Sequence, residues 1–339
     1  MIKINPLFPV YIEENTLRMG NLPATGKIVK NIDNNIIDMI KMTIDMPQKK
    51  ESLENFLQNR GISKRDSVDI INQLIEEDIL VTCDRMNVDD RQELFFSMFN
   101  SKKSFSYSKM LSDANIMIIG LGAIGCSIAN ILCRVGVNSF VLIDDDVVEE
   151  SNLKRQNLYF KDDVGELKTE SAKACLLNIK DTVDVKEVNS DVLDVLSFEK
   201  YNPDIVICTA DSPVRLVREH VNKICVRESI PLIFAGFSEY LGVVGPLMIP
   251  RKTPCWNCIQ GQLGILPRDI NSHRVMPSFG GLCELIGAFT ATEIVKYLTG
   301  FSNVEIIGKE LIIDIVSLKT SFVSWKKDET CKICSGVVK

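Results

Sequence analysis

The sequence predicts an α/β protein with a doubly wound, Rossmann-like and mostly parallel sheet, preceded by a small winged-helix-like module. The main observation is a glycine-rich turn near residue 120, between an apolar run of strand length and a helix-compatible segment. Apolar runs then alternate with helical segments as far as residue 235, as in doubly wound sheets. Beyond residue 242 the pattern favours C-terminal antiparallel strands and a zinc site.

The glycine-rich turn follows the order strand, turn, helix, strand and acid that is typical of nucleotide-binding βαβ units. Residues 116–119 and 140–143 are the two apolar runs, and Asp144 ends the second. The glycines of the turn are Gly120, Gly122 and Gly125. Glycines let the backbone approach a phosphate, and Asp144 is spaced to accept hydrogen bonds from a ribose. This motif alone leaves open NAD binding by a dehydrogenase.

The residues after the second strand favour a nucleoside triphosphate. A carboxylate triplet at 144–146 is followed by a polar segment at 151–156, Ser-Asn-Leu-Lys-Arg-Gln. Adenylation of a carboxyl group requires cations on the phosphates and a carboxylate that holds a metal ion. Arg155, Lys168 and Asp211 supply those groups. Each charge alone is most often only solvent-exposed, but together they favour a functional set.

Further strands and helices complete the predicted sheet. Asp144 and Asp211 both follow strands, and ligands of open α/β sheets bind at the carboxyl ends of strands. The later strands are predicted at 183–188, 204–208, 231–235, 242–249 and 311–317, and helices at 164–180 and 282–299, with another starting near Pro213.

Residues 1–88 are predicted to be a separate module, joined by a linker at 89–110 to a domain at 111–339. Short strands around a triplet of helices suggest a winged helix, which often binds DNA. Residues 1–100, however, carry twelve Lys and Arg against sixteen Asp and Glu, a poor balance for phosphate contacts. A module that pairs a strand edge with an extended peptide fits better.

Two C-x-x-C pairs indicate a metal site. The pairs are Cys255 with Cys258 and Cys331 with Cys334. Four thiolates form a closed tetrahedral zinc site, which would attach the C-terminal tail to the body of the domain. The alternatives are a redox dithiol or a chance pattern. We predict structural zinc, because no coordination position is left for substrate.

Bulk composition excludes some classes of function. The net charge of −6 argues against general nucleic-acid binding, although not against a local basic site. Glycines and polar residues interrupt the longest uncharged run, which argues against a membrane span. The N-terminus has no signal-peptide pattern, so we expect a cytoplasmic protein.

The ordered motifs resemble the ThiF/MoeB/HesA superfamily, relatives of ubiquitin-activating enzymes. The resemblance covers residues 90–339 and rests on Gly-Leu-Gly-Ala-Ile-Gly at 120–125, the triplet at 144–146, the segment at 151–156, Val-Gly-Glu-Leu-Lys at 164–168, Thr-Ala-Asp at 209–211 and the two cysteine pairs. It implies ATP-dependent adenylation of a peptide C-terminus by a homodimer that contains structural zinc.

The resemblance also implies roles for individual residues. Gly122 and Ala123 would face phosphate through their backbone, and Asp144 would bind the ribose. Asn152, Arg155 and Lys168 would hold the triphosphate of ATP, while Asp211 would bind Mg²⁺. Arg91 is similar to the arginine that this family contributes to the partner subunit's site. The remaining cofactor-binding positions are Gly120, Gly125, Asp146 and Gln156.

The extra N-terminal module is similar to that of superfamily members that modify a short ribosomally made precursor peptide. These act in peptide antibiotic biosynthesis, with the module as a peptide clamp and the 259–279 segment helping to cover the peptide. Two chemistries stay open. In pantocin-like chemistry, glutamate side chains are activated and AMP leaves, which permits dehydration and cyclisation. In microcin-like chemistry AMP is transferred to a C-terminal Asn. The pantocin-like chemistry is preferred.

Two alternatives remain at this stage. One is an activator of a ubiquitin-like sulfur carrier for thiamin or molybdopterin synthesis, which needs no peptide clamp. Such activators often have a cysteine where His273 aligns, and Cys283 is predicted to lie in the following helix. The other alternative is a winged-helix regulator that senses NAD, against which the acidic N-terminal module argues.

Overall fold

Two units make up the chain in a computed structural model that describes residues 1–21, 26–82, 90–100, 104–210, 212–264 and 277–335. The first unit is Met1–Tyr107 and the second is Ser108–Lys339. Each unit has its own cluster of buried apolar side chains.

Small sheets and amphipathic helices form the first unit. Strands β2, β3 and β4 form an antiparallel sheet, and β1 pairs with β5. The elements are β1 (Ile2–Ile4), β2 (Val10–Glu13), β3 (Thr16–Met19), β4 (Lys27–Val29), α1 (Asn34–Asp45), α2 (Lys50–Gln58), α3 (Lys64–Glu76), β5 (Leu80–Thr82) and α4 (Arg91–Asn100). Helix α5 (Ser104–Asp113) runs across the division between the units.

Local sequence explains where the helices of the first unit begin. The Asp33 carboxylate accepts the N–H of Asn35 at 2.7 Å before α1, and the Ser63 hydroxyl accepts the N–H of Asp66 at 3.1 Å before α3. Such caps satisfy N–H groups that have no partner within the helix. Helices α1, α2 and α3 form the predicted triplet, whereas β1 was not predicted because three residues carry little pattern.

An eight-stranded sheet organises the second unit, in the order β13-β12-β11-β10-β9-β6-β7-β8. Strands β8, β7, β6, β9 and β10 are parallel, and β10 to β13 are antiparallel. The strands are β6 (Asn115–Ile119), β7 (Ser139–Ile143), β8 (Asp184–Val188), β9 (Ile205–Cys208), β10 (Leu232–Ser238), β11 (Leu241–Met248), β12 (Lys309–Asp314) and β13 (Lys319–Ser324). The predicted fold class is therefore confirmed.

The helices of the second unit connect these strands. They are α6 (Ala123–Arg134), α7 (Lys168–Ile179), α8 (Val214–Glu228), α9 (Trp256–Leu263) and α10 (Gly280–Thr299). Strands β6, β7 and β9 are almost entirely buried, which explains their uninterrupted apolar sequences. Since these strands are parallel, the residues after Ile119, Ile143 and Cys208 meet at one edge of the sheet. We name this edge, which carries the predicted nucleotide motif, the nucleotide edge.

Two local predictions were wrong in detail, and two elements of the second unit were not predicted. The helix predicted from residue 164 begins at Lys168, because Gly165 has a φ of +100°. The strand predicted at 311–317 ends at Asp314, where the chain turns into β13. Helix α9 was not predicted, since eight residues around the first cysteine pair are too few for a clear period. All of β13 is exposed, so it has no buried face to produce an alternating pattern.

Candidate functional site

Two glycines allow the turn between β6 and α6. Gly120 has a φ of +90°, and a Cβ at this position would lie 2.6 Å from the backbone nitrogen of Ala210. A Cβ on Gly125 would lie 2.0 Å from the carbonyl oxygen of Gly120. Gly122, the N-cap residue, has no side chain to cap α6, so N–H groups of the first turn, beginning at Ala123, are available to an anion.

The acids after β7 meet the lysine that begins α7. Lys168 Nζ lies 2.6 Å from Asp146 Oδ2 and 4.0 Å from Asp144 Oδ1. The Asp144 carboxylate also accepts the N–H groups of Leu121 at 2.6 Å and of Asp146 at 2.9 Å. The side chains of Asp144 and Lys168 are only 7% and 8% exposed, whereas that of Asp146 is 68% exposed. The buried ammonium is thus held at the end of the glycine turn by one buried and one exposed carboxylate.

Burial and charge act in opposite directions on Asp144. Burial raises the pKa of its carboxyl above the ordinary value, while the Lys168 ammonium and the two N–H donors act to lower it. The net direction is upward, so this carboxylate retains a proton to a higher pH than an exposed aspartate.

A segment that we name the cassette, residues 149–157, follows these acids. It contains a 3₁₀ turn at Glu150–Lys154. Asn152 is buried, and its Oδ1 accepts the N–H of Glu149 at 3.1 Å. Arg155 is half-buried, and its Nη1 donates to the carbonyl of Ser151 at 3.0 Å. Gln156 is buried, and its Oε1 has no hydrogen-bond partner among the described residues. An unpartnered buried acceptor fits a site that binds a ligand with hydroxyl or amino donors.

Other predicted site residues are not brought into this arrangement. Asp211 and His273 lie outside the described residues. Arg91 is exposed on α4 in the first unit. Cys283 lies in α10 as predicted, and burial raises the pKa of its thiol. The roles of Arg91 and Asp211 stay predictions.

The sequence interpretation missed two residues that hold the glycine turn. The Tyr159 hydroxyl and the Cys126 thiol both donate to the carbonyl of Leu121, at 3.0 and 3.1 Å. Both side chains are buried; burial raises the pKa of Cys126 to about 12 and that of Tyr159 well above its ordinary value. The one indication in the sequence was that Tyr159 lies close to the polar segment 151–156. A tyrosine at this position is equally compatible with an ordinary residue of the hydrophobic core.

The four predicted metal ligands come together at one point. Their sulfur atoms all lie within 4.8 Å of one another, with separations of 3.9 Å for Cys255–Cys258, 3.7 Å for Cys255–Cys331 and 3.4 Å for Cys258–Cys334. A zinc ion bound tetrahedrally about 2.3 Å from each sulfur separates the sulfurs by about 3.8 Å. All four residues are buried. The donor set therefore fits a closed zinc site.

Comparisons with known proteins identify the family and the fold. The ThiF family model matches residues 91–333. Molybdopterin-synthase adenylyltransferase of Escherichia coli is 27% identical over 231 residues, which cover 68% of this chain and 90% of that protein. Escherichia coli MccB, solved with AMPCPP and MccA, superposes with a TM-score of 0.80 and 25% identity over 99% of both chains. PaaA superposes with a TM-score of 0.72 over 94% of this chain and 99% of that chain, and its 19% identity supports the fold alone.

No helix within the described ranges is long and apolar enough to cross a membrane.

The predicted enzyme class, an ATP-dependent adenylyltransferase, is confirmed by the family match and by the similarity to MccB, which has also been solved with ATP. With the family model covering more than two thirds of its length, the chain belongs to the ThiF family.

Proposed function

We propose that this enzyme uses ATP and Mg²⁺ to adenylate a carboxyl or carboxamide group of a short, ribosomally made precursor peptide in peptide antibiotic biosynthesis. The observation that carries the proposal is the extent of the similarity to MccB, which includes the first unit and covers 99% of both chains. The ThiF family model begins only at residue 91. The microcin C7 biosynthetic enzyme MccB has been solved in complex with N-formylated MccA, which supports a peptide substrate here.

The first unit is proposed to hold the peptide, as a clamp within residues 1–88. Strand β4 is at the edge of the three-stranded sheet, and Ile28 in it is 54% exposed. An extended peptide can add to such an edge through backbone hydrogen bonds, while side chains such as Ile28 provide apolar contacts. The residues at 89–110 would then connect the clamp to the adenylation domain at 111–339.

The edge of the large sheet is proposed to hold ATP. Asp144 would bind the ribose, the first turn of α6 would face phosphate, and Asn152, Arg155 and Lys168 would neutralise the triphosphate. Asp211 would hold Mg²⁺. In this arrangement a substrate oxygen attacks the α-phosphorus, an O–P bond forms, and pyrophosphate leaves with its charge balanced by cations. We further propose a homodimer in which the partner subunit contributes its Arg91.

The step after adenylation distinguishes two products. In the preferred pantocin-like case a nucleophile of the same peptide attacks the activated acyl carbon and AMP leaves, so the peptide loses one water. In the microcin-like case a nitrogen of a C-terminal Asn attacks the phosphorus, so that a P–N bond forms while the O–P bond of the adenylate breaks, and AMP stays on the peptide. The choice depends on the peptide as well as on the enzyme.

A mass-spectrometric assay tests this proposal. The enzyme is incubated with ATP, Mg²⁺ and short peptides encoded beside its gene, and both nucleotide and peptide masses are followed. We expect AMP and pyrophosphate to form only with peptide, together with a peptide that has lost water. A peptide that gains the mass of AMP would support the microcin-like chemistry, and no peptide-dependent turnover would contradict the proposal.

A second candidate is activation of a ubiquitin-like sulfur carrier. It is favoured by the similarity to molybdopterin-synthase adenylyltransferase, which covers 90% of that protein. The same assay, supplied with a carrier protein that ends in Gly-Gly, separates the two. Turnover with the carrier and with no peptide would favour this candidate. A variant lacking residues 1–88 should, if it folds, retain carrier activation but lose peptide modification.

A further inference from the structure

Glu284, in the second turn of α10, connects two parts of the nucleotide edge. Its Oε2 accepts the hydroxyl of Ser127 at 2.7 Å, and its Oε1 accepts the side-chain N–H of Asn157 at 2.9 Å. Ser127 is fully buried on α6, the helix that follows the glycine turn. Asn157 is the last residue of the cassette. One carboxylate therefore joins the glycine-turn helix to the cassette.

Close packing fixes the position of α10 relative to these two parts. A Cβ on Gly287 would lie 2.3 Å from the Ser127 hydroxyl oxygen, so α10 and α6 approach each other where only a glycine fits. A Cβ on Gly280 would lie 3.5 Å from the carbonyl oxygen of Lys154 and from Cβ of Arg155. The first turns of α10 thus lie against both α6 and the cassette. Because of this packing, the Glu284 carboxylate lies within hydrogen-bond distance of the short side chains of Ser127 and Asn157.

The amide of Asn157 depends on this carboxylate. Its Oδ1 is buried and has no hydrogen-bond partner within the described part of the chain. The bond from its Nδ2 to Glu284 is charge-assisted, and such bonds are stronger than those between neutral groups. Loss of the carboxylate would leave both polar atoms of this amide without a partner among the residues that the structure describes. A half-buried amide with no hydrogen-bond partner is costly, and the end of the cassette would shift to hydrate it.

We propose that Glu284 is a positioning residue for ATP, which holds the cassette in register with the glycine turn. Among the described residues, its side chain is hydrogen-bonded to Asn157 on one side and to Ser127 on the other, and it acts on the proposed ATP ligands through these two residues. This inference rests on the proposed function, in which Asn152 and Arg155 of the cassette bind the triphosphate while the first turn of α6 faces phosphate. Those contacts form together only if the cassette and α6 keep a fixed separation.

A titration with the fluorescent analogue mant-ATP and Mg²⁺ tests the proposal without a peptide substrate. We expect Glu284→Ala and Asn157→Ala each to weaken binding roughly tenfold, equivalent to about 1.4 kcal/mol. The double variant should be no weaker than either single variant, because both substitutions break the same link. Glu284→Gln keeps one acceptor oxygen and should lie within about threefold of wild type.

Glu293 on the same helix provides a matched control. Its Oε2 accepts the backbone N–H groups of Glu305 and Ile306, at 2.7 and 3.3 Å, and it is buried. Glu293→Ala should lower the melting temperature and leave the mant-ATP dissociation constant unchanged. If it weakens binding as much as Glu284→Ala does, the effect is general destabilisation and the positioning role is wrong.

The remaining outcomes are also decisive. Wild-type affinity in folded Glu284→Ala would overturn the proposal, as would additive losses in the double variant. If Glu284→Ala does not fold, the mant-ATP titration of Asn157→Ala tests the proposal instead. This variant keeps the hydrogen bond between Ser127 and Glu284. Arg155→Ala is measured alongside: if it binds mant-ATP as wild type does while Glu284→Ala does not, the proposed phosphate contact is wrong and the positioning role stands.

Discussion

The cysteine cluster and the nucleotide edge both concentrate reactive groups, but they are built differently. All four cysteines are buried, and their sulfur atoms face one another. At the nucleotide edge, Lys168 and Asp144 are buried while Asp146 is largely exposed. The arrangement of the four cysteines is closed to solvent and fits one bound cation. The arrangement at the nucleotide edge is open on one side, as a site that exchanges ligands must be.

The two regions also differ in how their charge is balanced. Four thiolates around one point repel one another unless a divalent cation neutralises them, so metal binding and folding are linked. At the nucleotide edge the Lys168 ammonium is already paired, at 2.6 Å with Asp146. A phosphate that binds Lys168 must compete with this carboxylate, which water can solvate once released. Substitutions in the first region should therefore affect folding, and those in the second should affect turnover.

Loss of a cysteine ligand is expected to have the largest effect. Zinc binding to structural sites contributes about 10–16 kcal/mol, and this binding free energy is also folding free energy. Cys255→Ser should lose zinc and unfold the C-terminal part of the second unit. Metal analysis and thermal unfolding measure both effects. Cys175→Ser, at a half-buried cysteine outside the cluster, is the control and should keep its zinc. A stable, active and zinc-free Cys255→Ser variant would show that the cluster is not a structural metal site.

Removal of the proposed magnesium ligand comes next. Asp211→Ala should abolish pyrophosphate release and leave the fold intact, because a metal that bridges phosphates is required for the transfer. Circular dichroism and a pyrophosphate assay across a range of Mg²⁺ concentrations check the two halves of this expectation. Near-normal turnover at ordinary Mg²⁺ would remove Asp211 from the magnesium site.

Loss of Arg155 should have an intermediate effect confined to catalysis. Within the described part of the chain its side chain donates one hydrogen bond, to the Ser151 carbonyl, so Arg155→Ala should cost about 1 kcal/mol of stability or less. Turnover should fall by about 10²–10³, the usual loss for one group that stabilises charge in the transition state. Lys154→Ala removes an exposed charge from the adjacent residue and serves as the control. Equal turnover in the two variants would contradict the assignment.

The sequence predicted the strands and the turn of the nucleotide edge well because their signals are local. A strand, a glycine turn and an acid lie within thirty residues, and backbone geometry at Gly120 and Gly125 leaves few alternatives. The cysteine cluster was equally predictable, since spacing alone defines each pair. Both regions therefore owe their predictability to residue types with strict geometric requirements.

Contacts between distant segments could not be predicted in this way. Glu284 meets Asn157 and Ser127 across more than a hundred residues, and nothing near it in the sequence indicates a polar partner. The sequence around Tyr159 indicates an ordinary core residue, and only the structure shows that its hydroxyl donates a hydrogen bond to the Leu121 carbonyl. Strand β13 lacks a buried face, so neither propensity nor alternation marks it. In each case tertiary packing, and no local pattern, determines the structure.

The pH dependence of Asp144 gives the smallest and most specific prediction. Burial raises the pKa of this carboxyl in the folded state, so the folded protein binds a proton that the unfolded chain has already released. Its contribution to stability is therefore greatest below the pKa of the unfolded state and declines as pH rises through the folded-state pKa. ATP binding should change in the opposite direction, because only the ionised carboxylate is a strong acceptor for ribose hydroxyls.

Urea unfolding and mant-ATP titrations between about pH 4 and pH 7 test these opposite trends, since this range includes ordinary and moderately raised carboxyl pKa values. In Asp144→Asn both contributions should disappear. In Asp145→Asn, which changes an exposed neighbour, both should persist. If stability and ATP affinity instead change in the same direction in the wild type, and Asp144→Asn leaves the affinity profile unaltered, Asp144 does not bind the ribose. The Asp144 carboxylate would then serve only to hold Lys168. In that case its role would be structural, as that of the cysteine cluster is.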